Sequence, residues 1–203
     1  MAAVPTVGER RSNPPWTGRS TSVPRLKRLV ADGWVCHAGR VVEHDDRIDF
    51  ALAAYRADGQ WTVHDLAHDH LGDIETIAHA LRRVPGDGGA VAMVAVDEDF
   101  FVIVRVAGAT TRVLLSDVTA AEDWELAGSA VEFLGLPELE LEDEDEQVPA
   151  GDLDLLGDLG MHAMEMGLLL DDVDLYPDEI LSDVARRLGF GEQFDDAVGL
   201  TSA

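Results

Sequence analysis

AVAMVAV (Ala90–Val96), the acidic break Asp97-Glu98-Asp99 and FFVIVRVAG (Phe100–Gly108) decide how this chain folds. Two β-branched, apolar runs separated by a short polar turn read as the strands of a hairpin. TRVLL (Thr111–Leu115) follows through Gly108 as a third strand. Apolar residues fill consecutive positions, and successive side chains of a strand point to opposite faces, so both faces of this sheet need cover. Helices supply one cover. The other is the C-terminal segment, a second copy of the chain, or a partner.

Working upstream, FALAAYR (Phe50–Arg56) reads as a strand, Asp58-Gly59 as a tight turn, and QWTVHDL (Gln60–Leu66) as the hairpin partner. Asp73 stands at an N-cap position before Ile74, Ile77, Ala78 and Leu81 at helical spacing, and Pro85-Gly86 stop that helix. Downstream, SDVTAAEDWELAGSAVEFLG supplies a second helix. Thr119 and Glu122 have capping-box spacing, Trp124, Ala127, Val131 and Leu134 share a face, and Gly135 marks the exit. The order β-β-α-β-β-β-α predicts an α+β body, a mainly antiparallel sheet with flanking helices, over residues 47–136.

The flanks have a different composition. Residues 1–46 hold Pro5, Pro14, Pro15 and Pro24 among Gly and Ser, which predicts a disordered extension. Seven bases against two acids give residues 1–40 a charge of +5, leaving -30 for the rest of a chain whose net charge is -25. Residues 138–146 (ELELEDEDE) repel one another and stay solvated, so 137–150 reads as an acidic linker. From 151 to 199 the pattern predicts a short C-terminal helical module. Leu153, Leu155, Leu156 and Leu159 form one apolar cluster, and Met161, Met164, Met166 and Leu168–Leu170 form a denser one. Pro177 then opens a helix with Asp178 and Glu179 in its first turn and Ile180, Leu181, Val184 and Leu188 along one side. Gly189 ends it, and Phe194, Ala197 and Val198 make a last short turn. Helices this short must pack on each other, on the sheet or on a partner.

Hydrophobic residues make up 46% of the 203 positions, enough for a core. No run of 18 charge-free apolar residues predicts a membrane span. Cys36 is the single cysteine, which rules out an internal disulfide and fits a reducing cytoplasm. The acidic body disfavours direct contact with nucleic acid or an anionic membrane and favours a basic protein partner.

Catalytic and cofactor patterns are missing. There is no GxxxxGK[ST] or GxGxxG phosphate loop, and Ser116, Ser129, Ser182 and Cys36 have no helper arrangement around them. His64, His68 and His70 with Asp65 and Asp69 form the best metal-like group, but solvated loop histidines explain them more simply. A calcium loop begun at Asp172 would place Asp174 and Asp178 well. It fails because Tyr176 takes the fifth position, Pro177 the sixth where Gly is required, and Asp183 the twelfth. Glu122 and Asp123 read as a capped, solvated pair of acids. Arg105 and Arg112 face each other across two strands, to anchor an anion or to pair with nearby acids. The Met161–Leu170 stretch reads as a core face or a docking groove. No catalytic, cofactor-binding or metal residue is assigned, and no cofactor is expected.

VDEDFFVIVRV (Val96–Val106), LLSDVTAAEDWELA (Leu114–Ala127), GDLDLLGDLGM (Gly151–Met161) and LLDDVDLYPDEILSDVARRLGFGEQF (Leu169–Phe194) resemble, in this order, the actinobacterial family of tRNA adenosine deaminase-associated proteins. The likeness covers residues 48–199. Members begin near Phe50, so the basic stretch ahead of it is an addition: a tethered arm, or a translation start set upstream. The resemblance implies an accessory of the deaminase and brings no catalytic residues with it. The deaminase itself needs zinc on one His and two Cys with a nearby Glu, and one cysteine without HxE or PCxxC cannot build that site. The expected function is a noncatalytic protein-binding module, with a tRNA adenosine deaminase or another basic protein as partner. A homo-oligomeric structural protein, self-paired through the 90–106 hairpin, and an enzyme of unfamiliar type are the alternatives.

Overall fold

The computed structural model describes residues 48–137 and 147–200. The basic extension, Cys36 and the acidic run 138–146 lie outside them. In chain order the elements are β1 (Ile48–Ala57), β2 (Gln60–Asp65), α1 (Ile74–Arg82), β3 (Ala90–Val96), β4 (Phe100–Ala107) and β5 (Thr110–Leu115). Then come α2 (Glu125–Leu134), β6 (Ala150–Gly151), α3 (Ala163–Leu170), α4 (Pro177–Leu188) and α5 (Gly191–Val198). The strands form one sheet of order β2-β1-β3-β4-β5-β6, antiparallel at every step. The expected α+β class holds.

Period-two alternation sorts the central strands between two layers. Ala92, Val94, Phe100, Val102 and Val104 point to one face, onto Ile77 and Leu81 of α1 and Leu126, Ala127 and Ala130 of α2. Val91, Met93, Phe101 and Ile103 point to the other, onto Leu155, Leu156, Met161, Met166, Leu181 and Val184. The second cover is therefore the C-terminal segment. β3 and β4 are interior strands buried on both faces, so neither a face nor an edge of these strands is open for pairing with a second copy of the chain. Each buried Val, Ile or Phe contributes about 1.5–3 kcal/mol, so these two strands supply a large share of the core's stabilisation.

Local chemistry explains the joints. The β1–β2 turn is a two-residue hairpin with Asp58 and Gly59 both at positive φ, and the three-residue β3–β4 turn likewise puts Asp97 and Glu98 at positive φ, which suits the twist of the strands. Glu98 lacks glycine's freedom there, and its N–H is held by the Asp49 carboxylate at 3.0 Å. Asp73 caps α1 as expected, accepting from the Thr76 N–H at 2.7 Å, while Ser129 of α2 accepts from the Ile74 N–H at 3.0 Å.

The second helix starts later than its capping-box spacing predicts. Thr119–Glu122 closes a 3-10 turn, and α2 begins at Glu125. Buried Asp117 takes the Thr119 N–H in a local side-chain turn, accepting from that N–H and from the Thr119 hydroxyl at 2.9 and 2.7 Å. It also accepts from the Val148 N–H at 3.2 Å, where the chain returns toward β6. Val131 and Leu134 are half-buried, and Leu126, Ala127 and Ala130 carry the packing face.

Candidate protein-binding face

Two arginines and one aspartate join the C-terminal layer to the sheet. Arg105 and Arg112 are register partners on β4 and β5. Arg105 is only 2% exposed, and its guanidinium donates to the carbonyls of Val106 at 2.7 Å and Gly88 at 2.8 Å and to the Asp158 carboxylate at 2.7 Å. The other oxygen of Asp158 accepts from Arg112 at 3.1 Å. The anion between the two guanidiniums is thus the chain's own carboxylate, presented by the 3-10 turn Gly157–Leu159. At the far edge, the Trp61 Nε1–H donates to the Leu188 carbonyl at 3.0 Å and the indole packs on Phe190. This ties β2 to the end of α4.

The outer side of the C-terminal layer is built differently. α3 is nearly all apolar, so its inner and outer sides are set by packing rather than by pattern. Met166 is fully buried, with Leu169 and Leu170 packed beside it. Met164 and Leu168, four residues apart on the opposite side, are 80% and 66% exposed. Val173 at 90% and Tyr176 at 58% continue the exposed series toward α4. Four of the six large hydrophobics exposed among the described residues thus fall between Met164 and Tyr176. Exposed Asp171, Asp172 and Asp174 lie among them. Surface contacts tie the helix to its neighbours. Glu165 accepts from the His162 N–H at 3.2 Å and from Arg187 of α4 at 2.7 Å, and these bonds, His162 first, hold its carboxyl below the usual range.

The other residues singled out in the sequence have structural roles. Ser116 accepts from the Phe101 N–H, Ser129 from the Ile74 N–H, and Ser182 donates to Asp195. His64 sits near the end of β2 with its ring edge-on to Tyr55, and His68–His70 is a 3-10 turn. Among the described residues no group of three or more His, Cys, Asp or Glu can hold a metal ion. Asp183 pairs with Arg186 at 2.7 Å, and the Asp172 carboxylate accepts from the Asp174 N–H, so the Asp171–Asp183 acids do not converge. Glu122 ends the 3-10 turn before α2. Val173 and Tyr176 are the members of the exposed face that sequence reasoning missed. Their signal was two bulky apolar side chains within an otherwise acidic stretch.

The family model for the Rv3753c-like tRNA adenosine deaminase-associated protein matches residues 49–191, from the first strand through α4. The chain belongs to this family. Protein Rv3753c of Mycobacterium tuberculosis (strain ATCC 25618 / H37Rv) is 36% identical over 151 residues, covering 73% of this chain and 87% of the relative. No solved structure matches. The single cysteine of this Rv3753c-like chain cannot supply the two-cysteine zinc site of the deaminase itself. Among the described residues no helix is long and apolar enough to cross a membrane.

Proposed function

We propose that this chain is a cytoplasmic docking partner of a tRNA adenosine deaminase, held by the Met164–Tyr176 face. The carrying observation is the exposure of Met164 and Leu168 on α3, which is tied to α4 by the Glu165–Arg187 pair, and of Val173 and Tyr176 among the aspartates of the α3–α4 connection. Flexible methionine and leucine side chains adapt to a partner surface, and burying them there supplies affinity. An enzyme that binds tRNA needs basic surface for phosphate, so an acidic rim steers the two proteins together and discourages RNA from the same spot. The body offers RNA little in return. Of its seven described arginines, Arg105, Arg112, Arg186 and Arg187 are ion-paired, Arg56 lies over the Trp61 ring and Arg82 donates to Thr111, which leaves Arg83 exposed beside it.

The test is a pull-down at native protein levels with the chain tagged at its C-terminus through a flexible spacer. Recovery of the deaminase in stoichiometric amount, weakened by high salt, is the expected result. Recovery of the bait alone contradicts a stable complex.

A further inference from the structure

Beside the docking face, a groove of about 630 Å³ runs between the start of β1, the β3–β4 turn and the α4–α5 pair. Its apolar wall is Phe50, Leu175, Tyr176, Val198 and Leu200. Phe50 is fixed edge-on against the buried Phe194, with ring centres 5.4 Å apart. Its acidic lining is Asp49, Glu98, Asp178, Glu179 and Asp183, against Arg186 alone.

The engagements of these charges decide what fits. Asp49 holds the Glu98 N–H, Glu179 holds the Tyr176 N–H at 3.1 Å, and Asp183 pairs with Arg186. Arg186 is also bound by Asp195 at 3.2 Å, so it is not available to an incoming anion. Among the described residues the carboxylates of Glu98 and Asp178 have no hydrogen bond or ion pair. An anionic ligand meets repulsion here, and a purely apolar one would bury carboxylates without partners. A cation flanked by apolar groups satisfies both halves of the lining, with the exposed Tyr176 ring as a face for the charge. The volume suits a few side chains, not a helix roughly 10–12 Å across.

We infer that this groove binds an extended protein segment carrying arginine or lysine next to a bulky apolar residue, with Glu98 and Asp178 as its charge readers. This deepens the docking reading and rests on it for the identity of the protein that supplies the segment.

The probe is the synthetic peptide acetyl-Leu-Arg-Leu-Arg-amide, titrated calorimetrically into the full chain. Saturable one-to-one binding is expected, weakened about tenfold by the paired substitutions Glu98→Gln and Asp178→Asn and by high salt. Tyr176→Leu, which keeps the apolar wall and removes the ring face, lowers affinity about threefold. Thermal unfolding checks that each variant is folded. No saturation at millimolar peptide overturns the inference. So does equal binding by the double variant, by acetyl-Leu-Glu-Leu-Glu-amide in place of the basic peptide, or by spermidine. The two readings fail separately: a chain that captures the deaminase yet ignores the peptide sinks the groove alone. A chain that binds the peptide as stated yet captures no deaminase leaves the groove standing and removes its named partner.

Discussion

Arg105 extends from an interior strand into the layer beneath α3–α5, and every atom of its guanidinium but Nε has a partner among the described residues. A buried cation whose carboxylate is removed keeps its desolvation cost and loses its compensation. Asp158→Asn is therefore expected to cost about 2 kcal/mol in a denaturant titration. Gly89 lies beside this guanidinium at φ +98, where a Cβ would fall 1.9 Å from the Val106 carbonyl oxygen. Gly89→Ala should cost more than about 3 kcal/mol, since backbone strain and collision add. Gly59 has a positive φ and open space around it, so Gly59→Ala should cost only about 1 kcal/mol. Asp99 supplies the pH prediction. Partial desolvation of this surface carboxyl, then the nearby Asp117, raise its pKa above the ordinary 3.8 against the hydrogen bond from Trp124, which lowers it. A raised acid favours folding while protonated, so its contribution is complete below that value and is lost as pH rises through the folded pKa. Asp99→Asn should thus be more stable than the wild type at neutral pH, with the gap closing in acid, as thermal unfolding across pH will show.

At the scale of single elements, α3 separates stability from recognition. Met166→Ala removes a fully buried side chain and is expected to cost about 2–5 kcal/mol. Met164→Glu with Leu168→Glu changes only the exposed side and should move stability by less than about 0.5 kcal/mol per site. Denaturation midpoints of the two variants check both statements. The apolar character of Met161–Leu170 was legible in the sequence, but its division was not. With apolar residues on every side of so short a helix, no polar face marks the outward direction, and only packing beneath α4 decides it. α2 was misread at its start for a related reason. The Thr119–Glu122 spacing satisfies a 3-10 turn as well as a capping box, and Asp117, two residues earlier, competes for the same N–H.

Across the whole molecule, the hairpin of Ala90–Val106 and the capped helix after Asp73 were readable because each is set by neighbours in the chain. The insertion of β3 beside β1, across α1, was not, because long-range pairing leaves no local pattern. The two-residue β6 gave no signal either; it is held by pairing to Leu114 and Leu115. Doubly apolar strands did announce that the sheet needed two covers, and the C-terminal helices filled the second without a partner. Of the large apolar side chains left exposed on that layer, all but Leu200 belong to the Met164–Tyr176 series, and the proposed docking rests on them. The most direct measurement is the affinity of the purified chain for the purified tRNA adenosine deaminase of the same organism, compared with the Met164→Glu, Leu168→Glu variant. Binding that falls at least about tenfold in a still-folded variant, and weakens with salt in the wild type, is the predicted result. Equal affinity of the two forms, or none for the wild type, would contradict it.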